Sequence, residues 1–268
     1  MPFIETNGAT VSYEVVGAGP AVLLGHSLLV DRQMWRAIVP RLADRYRVVN
    51  VEARGHGQST AERPFDFDDL VSDWLAILDR EGIERAALCG LSMGGMTAMR
   101  LALARPERVS SLLLLNTSAG AERLLNRARY AAMAAVYRQL GVISPLERPI
   151  LELMLGRTTL REQPALADEF LATVKRHDKA QLARAIRAVA SRRSIAHRLS
   201  EIRHPTLIVV GEEDRATPPS CSRAIQAAIP SSRLELLPTS GHLSALERPE
   251  EVAALLEEHL SATAAGSA

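Results

Sequence analysis

The sequence predicts an α/β fold: a mostly parallel sheet of about eight strands, with helices on both faces and an inserted helical cap. Three observations predict it. Up to Leu115, short β-rich runs alternate with stretches of helical period, the rhythm of a parallel sheet covered on both sides. From Ala119 to about Ser200 the pattern is helical throughout, punctuated by Pro145, Pro149 and Pro164. After Pro205 the alternation returns.

Taken in order, Ala9 to Val16 reads as a strand bounded by turn signals at Gly17 and Gly19-Pro20. Ala21 to Gly25 and Arg47 to Val51 are short buried strands, and between them Met34, Ile38, Val39 and Leu42 fall at helical spacing. Phe67, Leu70, Val71, Trp74, Leu75 and Leu78 form the apolar stripe of an amphipathic helix that Gly82 closes. Ala86-Ala87-Leu88-Cys89 leads through a glycine-rich turn into a helix through Met96 to Ala104. Val109 to Leu115 is continuously apolar, as in a strand buried on both faces. Helical triplets follow at Leu124/Leu125/Ala128, Leu166/Phe170/Leu171 and Leu182/Ile186/Val189. Then come a strand from Thr206 to Val210, a helix near Pro218 to Ile229, and a strand from Leu234 to Leu237. The last helix has Pro249, Glu250 and Glu251 in its first turn, where proline and acidic groups belong. Ser261 to Ala268 reads as a frayed tail.

The predicted organisation is a core domain of residues 1–116 and 204–268, with a helical cap of residues 117–203 inserted in it. Charge separates the two. Between Asn116 and Ser200 there are thirteen Arg and two Lys against seven acidic residues, in a chain of net charge +1. A local sign change of this size marks a separately built unit. The near-neutral total excludes a dedicated nucleic-acid binder. Cys89 and Cys221 lie far apart with no metal-binding spacing, so neither a disulfide framework nor a metal is expected, and a reducing, cytoplasmic setting follows. Met1 to Pro20 has no basic region followed by an apolar stretch, so no secretory signal is expected. No run of 18 apolar residues offers a membrane span.

The chemistry concentrates at three places. Gly90-Leu91-Ser92-Met93-Gly94-Gly95 sits between a buried strand and a helix. A serine on such a sharp turn is held strained and exposed, and its neighbours must be tiny. The plainer alternative is a helix-capping serine. A hydroxyl attacks only if a base takes its proton. His242 follows the last strand on a loop that can reach the sheet edge. His26 and His56 lie in other edge loops, where each can bond its own loop, and His177, His197, His204 and His259 read as surface residues. The base needs an acceptor for its second nitrogen. Asp214, in Gly211-Glu212-Glu213-Asp214 after the strand from Thr206, is favoured by position, with Glu212 and Glu213 as alternatives.

These residues, with Leu24-Gly25-His26-Ser27-Leu28, Arg54-Gly55-His56-Gly57-Gln58-Ser59 and Gly241-His242, resemble the α/β-hydrolase family from about Gly8 to Leu260. The resemblance implies a Ser92, Asp214, His242 triad and an oxyanion hole from the backbone N–H groups of Leu28 and Met93. Some members carry the acid after the sixth strand instead, where this chain reads Asn116-Thr117-Ser118. His26-Ser27 departs from the frequent His-Gly pair. His-Ser-Leu followed by Met34-Trp35 is similar to the 3-oxoadipate enol-lactonase branch. The implied activity is hydrolysis of small carboxylic esters without a cofactor. Alternatives are a lactonase of that branch, a perhydrolase or non-haem haloperoxidase, and a ligand-binding receptor on the same fold. Serine at the elbow argues against the epoxide- and halide-displacing relatives, which use aspartate there. Gly17-Ala18-Gly19 and Gly55-His56-Gly57 fall short of nucleotide-binding loops. The arginine excess leaves two readings open: recognition of an anionic substrate, and, more simply, a solvated helix surface.

Overall fold

The computed structural model describes residues 2–122 and 124–265. Among them nine strands form one sheet: β1 (Phe3–Thr6), β2 (Ala9–Val16), β3 (Ala21–Gly25), β4 (Arg47–Val51), β5 (Thr60–Ala61), β6 (Ala86–Leu91), β7 (Val109–Leu115), β8 (Thr206–Gly211) and β9 (Ser232–Leu237). The spatial order is β1-β2-β4-β3-β6-β7-β8-β9, with β5 on β2. All pairs from β4 across to β9 are parallel, while β2 pairs antiparallel with β1, β4 and β5.

The central strands are mostly apolar and almost wholly buried because both faces are covered. Leu113 and Leu115 of β7 join one buried cluster, and Leu112 and Leu114 join the other. On the first face lie α1 (Val39–Ala43) and α11 (Pro249–Ala265); on the second lie α9 (Pro219–Ala228) and most of α2 (Phe67–Arg80) and α3 (Met93–Ala104). The Asp66 carboxylate starts α2 by accepting the amides of Asp68 and Asp69, the capping that orphan first-turn donors require. Gly82, at φ +63°, ends the chain's helical path after it.

Between β7 and β8 stand α4 (Leu124–Leu140), α5 (Ser144–Met154), α6 (Arg157–Glu162), α7 (Pro164–Arg176) and α8 (Lys179–Ser191). Their buried residues, among them Tyr137, Ile150, Phe170 and Leu182, belong to the same cluster as Val22 and Leu24 of β3. A four-residue α10 (Ser244–Glu247) precedes α11. No helix among the described residues is long and apolar enough to cross a membrane.

The sheet of nine strands bears out the mostly parallel sheet of about eight, and β1 turns into β2 through Asn7-Gly8 at φ +31° and +74°, the left-handed pair that a two-residue hairpin demands. The structure corrects the sequence reading in three places. The periodic stretch from Met34 to Leu42 is two pieces, a 3-10 turn (Arg32–Trp35) and α1, because Pro40 in the first turn of α1 cannot continue an earlier helix. Ser261 to Ala265 is helical, not frayed, with Ser261 bonded to Arg45 and to Glu257 O; 266–268 lie outside the described residues. His177 and His259, expected at the surface, are buried.

Candidate active site

Ser92 joins β6 to α3 at φ +54°, ψ −108°, a conformation costly for any residue with a side chain. The turn is held from below: Ser92 N donates to Leu115 O (2.9 Å), and Ser92 O accepts from Met96 N and Thr117 Oγ1 (2.8 Å each). The flanking glycines are steric necessities. A Cβ on Gly90 would stand 2.2 Å from Gly94 C, and one on Gly94 would stand 2.2 Å from Gly25 O. Gly94 N donates to His26 O (3.1 Å), tying the loop after β3 to this turn.

His242 and Asp214 meet across the loops that follow β9 and β8. His242 Nδ1 lies 3.0 Å from Asp214 Oδ2 and 3.1 Å from Oδ1. Asp214 is almost fully buried and also accepts from Asn116 Nδ2, the amides of Ala216 and Thr217, and Thr217 Oγ1, each at 2.9 Å. Burial pushes its carboxyl up, but the His242 imidazole, Asn116 and Thr217 together outweigh that and hold it below the ordinary aspartate value. A carboxylate so fixed orients the imidazole with its Nε2 left over for other work. The two alternative acids are elsewhere employed or placed: Glu213 accepts from Thr158 N, Thr158 Oγ1 and Arg157 of α6, and Glu212 is exposed.

The supporting roles of three residues escaped the sequence reading. Asn116, at φ +44° and wholly buried, donates to both Asp214 and Gly241 O and accepts from Ser244 Oγ (2.6 Å). Glu247 accepts from the amides of Gly241 and Leu243, on either side of His242, and from Gly156 N and Thr159 Oγ1 at the start of α6. Burial raises its pKa, against the pull of those four donors. Glu213 grips the same turn of α6 from the Asp214 side. For Asn116 and Glu213, polar residues just past β7 and β8, that position was the available signal.

The remaining edge histidines are braces. Nδ1 of His26 donates to Ser27 O (2.7 Å) and its Nε2 accepts from Ala53 N (2.9 Å), so the ring is neutral; burial lowers its pKa to about 4. His56 stacks edge-on between His26 and His177, with centroids 4.9 and 5.4 Å away. His177 Nδ1 accepts from Gly57 N, joining the helical segment to the Arg54–Ser59 motif.

Ser92 and His242 line one cavity of about 110 Å³ together with Leu28 and side chains from α4, α5, α7 and α8. A site of about 150 Å³ is enough for benzene, so this one suits a small group. Met93 opens α3 directly after Ser92, and Leu28 precedes Leu29, whose φ of +72° turns the loop over the site. Asp214 meets the cavity through His242; Leu28 lines the cavity beside Ser92, whereas Met93 follows Ser92 in the chain and is not among the lining residues. Among the described residues no group of three or more His, Cys, Asp or Glu is arranged to hold a metal ion.

A family model described as alpha/beta hydrolase fold matches residues 20–249. Among curated proteins, 3-oxoadipate enol-lactonase 1 of Acinetobacter baylyi is 30% identical over 246 residues, 91% of this chain and 90% of that protein. Among solved structures, a thermophilic esterase from Thermogutta terrifontis with malate bound superposes with a TM-score of 0.90 at 27% identity, covering 95% and 94% of the two chains. The enol-lactonase from Burkholderia xenovorans gives 0.89 at 28% identity, covering 97% and 100%.

Proposed function

The chain belongs to the alpha/beta hydrolase family, and from that premise we propose that it hydrolyses carboxylic esters of small substrates through an acyl-enzyme on Ser92. Ser92 Oγ attacks the ester carbonyl while His242 Nε2 takes the hydroxyl proton, and Asp214 stabilises the imidazolium that results. The amides of Leu28 and Met93 hold the oxyanion; each such donor is typically worth about 10²–10³ in turnover. As the tetrahedral intermediate collapses, the departing alkoxide takes the proton from His242. Water then attacks the acyl carbonyl, gives its proton to the same nitrogen, and the acid leaves with Ser92 restored. Residues 117–203 act as a cap that supplies most of the acyl pocket.

The observation that carries this reading is the 3.0 Å contact between His242 Nδ1 and Asp214, with the same imidazole lining the cavity that Ser92 lines from its strained turn. On p-nitrophenyl butyrate, Ser92→Ala and His242→Ala are each expected to lose at least about 10⁴ of kcat while staying folded. Wild-type turnover in His242→Ala would contradict the proposal. A ligand receptor on this fold would instead bind its ligand equally well with Ser92→Ala and have no turnover to lose.

A lactone is an internal ester, and the same steps open it. The 30% identity to an enol-lactonase supports that reading as a sibling. Peroxide in place of water in the second step would make a peracid. Rates on a panel of esters, enol-lactones and peroxide-dependent acyl transfer separate the three.

A further inference from the structure

The cavity over Ser92 is lined by one charged pair besides the His242 imidazole. Arg192, just past α8, and Glu122, just before α4, both line it. Arg192 Nη2 donates to Glu122 Oε2 at 3.1 Å, and both side chains are largely buried. The guanidinium is committed on its other edges too: Nε donates to Gly120 O (3.0 Å) and Nη1 to Val189 O (2.9 Å). Glu122 in turn accepts from Asn126 Nδ2. Arg192 is the one arginine or lysine among the described residues that line the cavity. Arg127, Arg138, Arg148, Arg157, Arg161 and Arg176 of the same segment are exposed to solvent.

An arginine in an acyl pocket would ordinarily read as a carboxylate receptor, because its planar fork matches a carboxylate. Here that fork already holds one. A substrate carboxylate approaching Arg192 would meet the Glu122 charge beside it. It would be repelled by that charge, and taking the guanidinium from Glu122 would break a buried ion pair, which is costly. Most of the remaining wall is apolar, with Met96, Met133, Leu146, Ile150, Val174 and Ile186 among its residues, and apart from Ser92 and the His242 imidazole it adds only hydroxyl groups, from Tyr130, Tyr137, Ser27 and Thr217, and no further charge.

We infer that this cavity selects esters with an uncharged, apolar acyl group, and that Glu122 enforces the selection by keeping Arg192 occupied. The inference rests on the ester-hydrolase reading and adds the substrate class to it. It runs against an anionic enol-lactone as the preferred substrate, and against the anion-recognition reading of the segment's arginine excess.

Two esters of equal length test it: ethyl hexanoate and monoethyl adipate, which differ by a terminal methyl against a terminal carboxylate. The expected wild-type kcat/KM favours ethyl hexanoate by at least about 100-fold, a ratio that outlasts 0.5 M salt because it arises from burial. In Glu122→Gln the guanidinium loses its buried counter-charge, and the ratio is expected to move at least tenfold toward monoethyl adipate. Comparable wild-type rates on the two esters, or a preference for the adipate, would overturn the inference while leaving ester hydrolysis standing. An unchanged ratio in Glu122→Gln would overturn the role of Glu122. Turnover of neither ester, nor of p-nitrophenyl butyrate, would remove the hydrolase reading and this inference with it. The wild-type comparison decides the substrate class whether or not the variant folds.

Discussion

Asn116 ends the leucine run of β7 and bonds Asp214, Gly241 O and Ser244 at once. Truncating it to alanine would leave those buried groups short of partners, at about 1–3 kcal/mol each. Asn116→Ala is expected to lower unfolding free energy by about 3 kcal/mol, measured by urea denaturation; a loss under 0.5 kcal/mol would contradict this role. Ser92, His242 and Asp214 were legible because short motifs and strand ends mark them. Asn116 and Glu247 were not, because the partners of Asn116, and Gly156 and Thr159 among those of Glu247, stand about a hundred residues away and only the fold brings them together. The buried histidines carry a pH prediction. Burial lowers His26, His56 and His177, and it outweighs the opposing pull of the Asp31 carboxylate on His26 and His177 and of backbone carbonyls on all three. The unfolded chain therefore takes up protons near the ordinary 6.5 that the folded chain refuses until about 4 for His26. Stability should fall as pH drops through that window, by about 3 kcal/mol for His26 alone. A lower urea midpoint at pH 5 than at pH 7.5 is the expected result, and equal midpoints would contradict it.

At the scale of elements, the turn from Gly156 to Thr159 is where the helical segment is clamped to both loops that carry His242 and Asp214. Glu247 and Glu213 do the clamping, one from each loop. Glutamine at 247 keeps one acceptor oxygen and points an amide at backbone N–H groups. Glu247→Gln is accordingly expected to lower kcat by about tenfold or more, the equivalent of one or two lost hydrogen bonds, with a much smaller change in KM, because the groups flanking His242 loosen while the apolar pocket remains. An unchanged kcat would show that this carboxylate braces the fold without positioning the imidazole. The main strands and α2 were readable from period alone, since burial on two faces or one leaves a distinct pattern. β1 escaped the sequence reading despite the Asn7-Gly8 turn, because its alternating half-exposed residues carry little hydrophobic contrast. β5 spans two residues and α10 four, too short for any period to show. Pro40 explains why the stretch after β3 breaks where spacing suggested continuity.

Across the whole molecule, a basic helical segment sits on an acidic body, yet their attachment is mainly apolar. The ion pairs that join them, Arg36–Glu169, Arg157–Glu213, Arg176–Asp31 and Arg215–Glu152, are mostly exposed, and two of the four put the arginine on the body. Exposed pairs of this kind contribute about 0–1 kcal/mol each. The shared apolar cluster under α4, α5, α7 and α8 is therefore the larger attachment. Composition alone made the charge contrast visible. Which arginine enters the cavity depended on how α8 ends and α4 begins, and that is a tertiary fact. The same closure of distant segments underlies the proposed activity, since the hydroxyl comes from the β6–α3 turn and the imidazole from the loop after β9. The most direct test of that activity is to treat the protein with a fluorophosphonate and locate the adduct by peptide mass. The account predicts a single adduct on Ser92 that forms in step with loss of esterase turnover and is absent from His242→Ala over the same time. Turnover that survives full modification of Ser92, or an adduct on another serine that abolishes it, would contradict the account.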